Sequence, residues 1–274
     1  MAVKGMIGIS VVGEIAGGVA GGSVISGAFK SSLGGLGGRG RNMSLNRERK
    51  PAAWPGRPKV VSFDLDGTLV DKGFDDAIWL SELPRIYAKQ NGLEFSQAQK
   101  IFFAEYGKTT PQRLQWYDIG YWFRRMGLKI PARKVVMGMR HRLKLYPDVL
   151  PALKKLKRKK ARMVVFTNSP RAFTEIKVRA EGLSSYFEKI VCVPSDYRKV
   201  KHHRGAFARL ARECGVRPSE ILHVGDSYEL DYLPAKRAGC GAVLVERKGT
   251  PMEKRVKGGN AKKIATLAGL FEKC

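Results

Sequence analysis

Beyond Lys59 the chain alternates between short apolar runs of strand length and longer stretches with helical spacing. The first run, VVSF at 60–63, continues into DLDGTLVD. Val60, Val61, Phe63 and Leu65 are the residues a buried parallel strand favours. Between 72 and 145 the spacing changes to three and four, in DDAIWLSELPRIYAKQNG, TPQRLQWYDIGYWFRRMG and PARKVVMGMRHRLKL. This pattern, punctuated by Gly92, Gly127 and Pro131, predicts three or four helices. From Pro147 strands and helices take turns. A helix is expected near 148–160, strands at 162–167, 189–193, 221–225 and 242–245, and helices after Pro170, near 204–214 and before Gly239.

Strands separated by helices predict an α/β fold, a Rossmann-like parallel sheet with helices on both faces. The helical stretch 72–145 interrupts that alternation and reads as an all-helical insertion. The core is then 58–71 together with 146–274. Residues 1–57 differ from the rest: GEIAGGVAGGSVISGAFKSSLGGLGGRGRN is rich in Gly, Ser and Ala and buries little, so a mobile segment is expected there. Its glycines, Glu14 and weak basic start argue against a membrane span or a signal peptide, so no stable membrane association is expected. Met43 stands just ahead of the folded part as a second candidate start.

In α/β sheets ligands bind beyond the carboxyl ends of the strands, so the polar residues there carry the candidate chemistry. Asp64 and Asp66 follow the first strand and, two apart, project to one side. An acidic turn is the plain alternative for that pair, since Asp-Gly is also a hairpin signal. Thr167 and Asn168 end the second strand, SDYRKVKHHR follows the third, and Gly225, Asp226, Ser227 and Asp231 follow the fourth. Four strand ends at one pole, all carrying groups able to hold a metal or a phosphate, speak against the plain turn.

With this order of motifs the sequence resembles the haloacid dehalogenase superfamily, in its phosphatase branch with a helical cap of the first class, similar to phosphoglycolate phosphatases. The matching residues are Asp64-Leu65-Asp66-Gly67-Thr68-Leu69, Thr167-Asn168-Ser169, Lys201, and Gly225-Asp226-Ser227 with Asp231. The resemblance covers roughly 59–250, and it makes 72–145 the cap. It implies a Mg2+-dependent phosphomonoester hydrolase in which Asp64 is the nucleophile and Asp66 the general acid and base. Thr167, Asn168 and Lys201 would bind the phosphoryl group. Asp64, the Asp66 backbone carbonyl and Asp226 would ligate the metal, with Asp231 in or near the surrounding ring of groups. The presence of Asp66 also separates phosphoryl chemistry from carbon–halogen cleavage, because dehalogenases of the family lack that carboxylate.

One departure concerns the lysine. His202 and His203 follow Lys201 where proline is usual, and Lys199 stands two residues earlier as a competing candidate. Lys201 is expected at a helix amino terminus, adding dipole to charge. The cap aromatics Trp79, Trp116, Tyr117, Tyr121 and Trp122 are expected mainly as helix-packing core, and Asp75, Asp76 and Trp79 to approach the entrance.

A small phosphorylated metabolite is the expected partner. Phosphatases of nucleic-acid ends, basic nucleic-acid-binding proteins and phosphomutases stay open as alternatives. The formal net charge of +27, from 51 Lys and Arg against 24 Asp and Glu, raises the nucleic-acid possibility. The excess is spread along the chain, however, and predicts only weak, nonspecific binding. The densest run, KKLKRKKAR at 154–162, precedes its strand and so belongs to the opposite pole of the sheet. Cys192, Cys214, Cys240 and Cys274 form neither a disulfide framework nor a zinc motif, which fits reduced thiols in a cytoplasmic protein.

Overall fold

The computed structural model describes residues 58–180, 182–247 and 261–271, so the expectations for 1–57 and for Cys274 lie outside the described residues. Six parallel strands form one sheet: β1 (Val60–Phe63), β2 (Arg162–Thr167), β3 (Lys189–Cys192), β4 (Ile221–Gly225), β5 (Gly241–Val245) and β6 (Lys263–Ile264). Their order is β3-β2-β1-β4-β5-β6. β1 is central, with Val60 in register with Arg162 on one side and Ile221 on the other. The order reverses direction at β1, and the crevice beyond its carboxyl end is where such sheets bind ligands.

Alternation along the strands divides the core into two layers. Val61, Phe63, Met163, Val165, Leu222, Val224, Val243 and Val245 pack on one face with α6 (Val149–Arg158) and α7 (Arg171–Ala180). Val60, Val164, Phe166, Ile221 and Ala242 pack on the other with α8 (Ala206–Glu213) and α9 (Leu233–Arg237). Each fully buried Val, Leu, Ile, Phe or Met side chain among these stabilises the fold by about 1.5–3 kcal/mol. β3 stops at Cys192 rather than 193, because a π-helical turn, Val193–Tyr197, begins there with Pro194. β6 was not expected; two residues are too short to show a period.

The insertion is helical, as the spacing predicts. It contains α1 (Gly73–Asp76), a π-helical stretch (Ala77–Glu82), α2 (Leu83–Asn91), α3 (Phe95–Tyr106), α4 (Ile119–Arg125) and α5 (Ala132–Gly138). Pro84 has no N–H to return to the Leu80 carbonyl, which instead accepts Nε2 of Gln99 at 2.9 Å. Chain entry and exit run side by side: Asp71 N–H donates to the Lys144 carbonyl at 2.9 Å and Tyr146 N–H to the Leu69 carbonyl at 3.1 Å.

Trp79, Trp116 and Trp122 are buried, and Tyr121 packs edge-on against Trp122. Trp79 stacks on Phe173 of α7 with centroids 5.7 Å apart, so it anchors helices rather than facing an entrance. Among the described residues, no helix is long and apolar enough to cross a membrane.

Candidate active site

The ends of β1, β2 and β4 converge with the segment after β3. Asp64, Asp226 and Asp231 each bring a carboxylate oxygen within 4.8 Å of the others. Two glycines make that approach possible. Gly67 has φ +83°, and a Cβ there would fall 2.5 Å from Asp226 Oδ2; a Cβ on Gly225 would collide with the Asp231 side chain.

Three such carboxylates repel one another, and two ammonium groups, one buried and one partly exposed, offset the charge. Lys201, 2% exposed, places Nζ 2.6 Å from Asp64 Oδ1 and also donates to Asp231 Oδ1. Lys72 donates to Asp226 Oδ2 at 2.6 Å. Burial pushes the Asp64 carboxyl up to about 7 against the pull of Lys201, with Asp231, Asp226 and Asp66 adding to the rise. Asp231 behaves oppositely. Burial would raise it, but Lys201 and His223 outweigh burial and hold it well below the usual carboxylate range. In Lys201, Asp231 and Asp64 outweigh burial and keep the ammonium charged.

Of the two competing lysines, only Lys201 reaches this cluster; Lys199 is exposed. The expected helix placement does not hold. Helix α8 starts at Ala206, after Gly205 in the left-handed region at φ +89°, so Lys201 sits in a turn five residues ahead of the helix. Its position is set instead by its own backbone: Lys201 N–H donates to Asn168 Oδ1 at 2.9 Å. Asn168 Nδ2 in turn donates to the Tyr117 hydroxyl at 3.3 Å, so this aromatic of the insertion reaches the site as well as packing. Thr167 is buried, and its Oγ1 accepts from Ser169 N–H at 3.0 Å. His202 is half-buried and His203 exposed, and neither bonds to the carboxylates.

Three groups in or against the site went unremarked in the sequence. Lys72 is one. His223, fully buried on β4, is another: Nε2 lies 3.1 Å from Asp231 Oδ1, and Nδ1 lies 2.7 Å from Ser62 Oγ. Burial holds this imidazole neutral, and a carboxylate can only accept, so Nε2 donates to Asp231 and Nδ1 accepts from Ser62. The third is Lys177 of α7, fully buried, with Nζ 2.5 Å from Asp66 Oδ1 and 2.5 Å from Asp75 Oδ2. Asp75 is therefore an internal partner rather than an entrance residue, and burial followed by Asp66 pushes its carboxyl up to about 8. Both His223 and Lys177 leave a trace in the sequence. One is a polar residue inside the apolar run ILHVG; the other falls on the buried stripe of α7 beside Phe173, Thr174 and Val178.

A GMP/IMP nucleotidase of Escherichia coli (strain K12) is 26% identical over 168 residues, 61% of this chain and 74% of the relative. A phosphoglycolate phosphatase of Pasteurella multocida (strain Pm70) is 28% identical over 197 residues, 68% of this chain and 84% of the relative. The crystal structure of an HAD phosphatase from Thermococcus onnurineus aligns with a TM-score of 0.67 at 26% identity, covering 77% of this chain and 95% of that one. The model of the haloacid dehalogenase-like hydrolases matches residues 58–239, more than half of the sequence, and the chain belongs to that family.

Proposed function

We propose that this chain is a Mg2+-dependent phosphomonoester hydrolase that works through an aspartyl-phosphate and acts on a small phosphorylated metabolite. The observation that carries the reading is the meeting of Asp64 with Asp226, Asp231 and the buried Lys201 at the carboxyl pole of the sheet.

The donor set fits magnesium, a hard cation that prefers carboxylate and carbonyl oxygen and retains several waters. Asp64, Asp226 and the Asp66 backbone carbonyl would hold it, with Asp231 beside them. Bound there, the cation offsets phosphate charge and favours the ionised form of the carboxylates around it. The remaining chemistry belongs to the chain. An Asp64 oxygen attacks phosphorus and the ester oxygen departs, taking a proton from Asp66; Asp66 then withdraws a proton from the water that cleaves the acyl-phosphate. Lys201 lies on the nucleophile and offsets the negative charge brought together there. The Thr167 hydroxyl and the Asn168 backbone N–H would donate to phosphoryl oxygens. The helices of 72–145 would act as a cap, with the Tyr117 hydroxyl in hydrogen-bond contact with Asn168.

Nucleoside monophosphates and phosphoglycolate are the first substrates to try, from the relatives named above. Phosphorylated nucleic-acid ends come second, because the dense basic run lies on α6, which ends at the opposite pole of the sheet. The test is a screen of these three classes and a panel of sugar phosphates, with Mg2+ and with EDTA. Release of inorganic phosphate that stops on chelation is expected. Release unaffected by EDTA, or no release from any phosphomonoester, overturns the reading.

A further inference from the structure

Asp66 is gripped from behind by a residue far away in sequence. Lys177 is 0% exposed, and its Nζ donates to Asp66 Oδ1, Asp75 Oδ2 and, at 3.1 Å, Ser169 Oγ. An ammonium has three protons, and these three acceptors take all of them. The group also lies 5.3 Å from the Phe74 ring centroid and 5.6 Å from that of Phe173, which confine it on its apolar sides. A charge this deep is expensive unless paired, and here every partner is fixed by packing. Asp66 and Ser169 belong to the core strand ends, whereas Asp75 belongs to the first helix of the insertion.

We propose that Lys177 and Asp75 are positioning residues for the acid–base carboxylate: Lys177 fixes Asp66 Oδ1, so that the proton is given and taken at Oδ2, and Asp75 makes that grip depend on the insertion's first helix being seated. This rests on the function proposed above and adds to it. Neither side chain needs to touch substrate. The arrangement explains why a lysine occupies the buried stripe of α7, where an apolar residue would pack without needing a partner.

Proton donation matters most when the leaving oxygen is a poor one, which gives a readout that general loss of structure does not share. The departing group leaves in the first chemical step, and kcat/KM covers only the course from free enzyme and substrate through that departure. The measurement is kcat/KM for p-nitrophenyl phosphate, whose phenolate needs little protonation, and for GMP and phosphoglycolate, whose alkoxides need it fully. Lys177→Met is expected to lower kcat/KM by about 100-fold on the alkyl esters, the low end for loss of a general acid, and by less than about tenfold on the aryl ester. Asp75→Asn should shift the same ratio in the same direction by a smaller factor.

Lys177→Met takes the ammonium away from the buried Asp75 and the partly exposed Asp66. The double variant Lys177→Met/Asp75→Asn, which also removes the ionisable group that Lys177 faces on the insertion, is therefore measured beside it, with circular dichroism to establish folding. Selective loss on alkyl esters in any folded variant lacking Lys177 supports the assignment. Equal loss on both ester classes, or none, overturns it while leaving the phosphatase reading intact. A wild-type protein inactive on every phosphomonoester of the screen described above overturns the phosphatase reading, and this inference with it.

Discussion

Replacing Lys201 by Met keeps the bulk of the stem and removes the charge lying between Asp64 and Asp231. Lys201 is 2% exposed and Asp64 5%, so solvent does little to screen what is lost. Removing one partner of a buried ion pair costs about 3–5 kcal/mol, which for a chain of this size corresponds to a fall of roughly 6–20 °C in Tm. The deficit should depend on pH, and its sign follows from Asp64. Burial already raises that carboxyl to about 7, and Lys201 is what holds it from rising further. A group whose folded pKa lies above its unfolded value favours the folded state at low pH and loses that contribution as pH rises through the folded value. Without Lys201 the folded pKa is higher still, so the loss continues past the pH where it stops in wild type and runs deeper; the variant should fall behind wild type most above about pH 7 and recover towards about pH 5. Urea unfolding in EDTA, followed by circular dichroism at several pH values, measures this directly. Stability unchanged by the substitution, or a deficit that grows on acidification, would refute the assignment of Lys201 as the buried countercharge. Turnover should drop by at least about 100-fold in the same variant, since it removes a charged donor from the nucleophile.

Asp64→Asn should abolish turnover, because an amide cannot form the acyl-phosphate, and in EDTA its Tm should gain on wild type as pH rises towards and past about 7, where the native carboxylate ionises; parallel Tm curves would count against a raised Asp64. Mg2+ binding must displace the same proton, so its Kd by calorimetry should weaken as pH drops below about 7, approaching tenfold per pH unit. A Kd constant across that range would show that Asp64 does not limit the site. Gly225→Ala should displace Asp231 and lower turnover by at least about 100-fold, whereas Gly138→Ala, with open space around it on α5, should leave activity unchanged; equal effects would refute the tight approach at Gly225.

The sheet was legible because its strands are buried on both faces and stand out as apolar runs between helical spacings. The carboxylate pole was legible for a related reason: Asp64, Asp66 and Asp226 interrupt that apolar pattern at strand ends. What the sequence hid is the pairing. Lys72 lies 154 positions from Asp226 and Lys177 lies 111 from Asp66, and no local spacing links them. His223 and Lys177 do break the apolar pattern of their elements, but a break of one residue does not name its partner. The helix behind Lys201 was placed too early because the run SDYRKVKHHR has no apolar period to mark where a turn gives way to a helix.

The central position of β1 has a consequence for how the chain is made. Both neighbours of β1 are translated after it, and Ser62 waits for His223, 161 residues downstream. At roughly 5–20 residues per second, ribosomal synthesis leaves an interval of about 8–32 s during which this strand and its two aspartates have emerged without their second flank. An apolar strand unpaired for that long is a template for association with other nascent chains. The carboxylates that end it carry charge into the exposed segment and discourage such pairing until the last partners arrive.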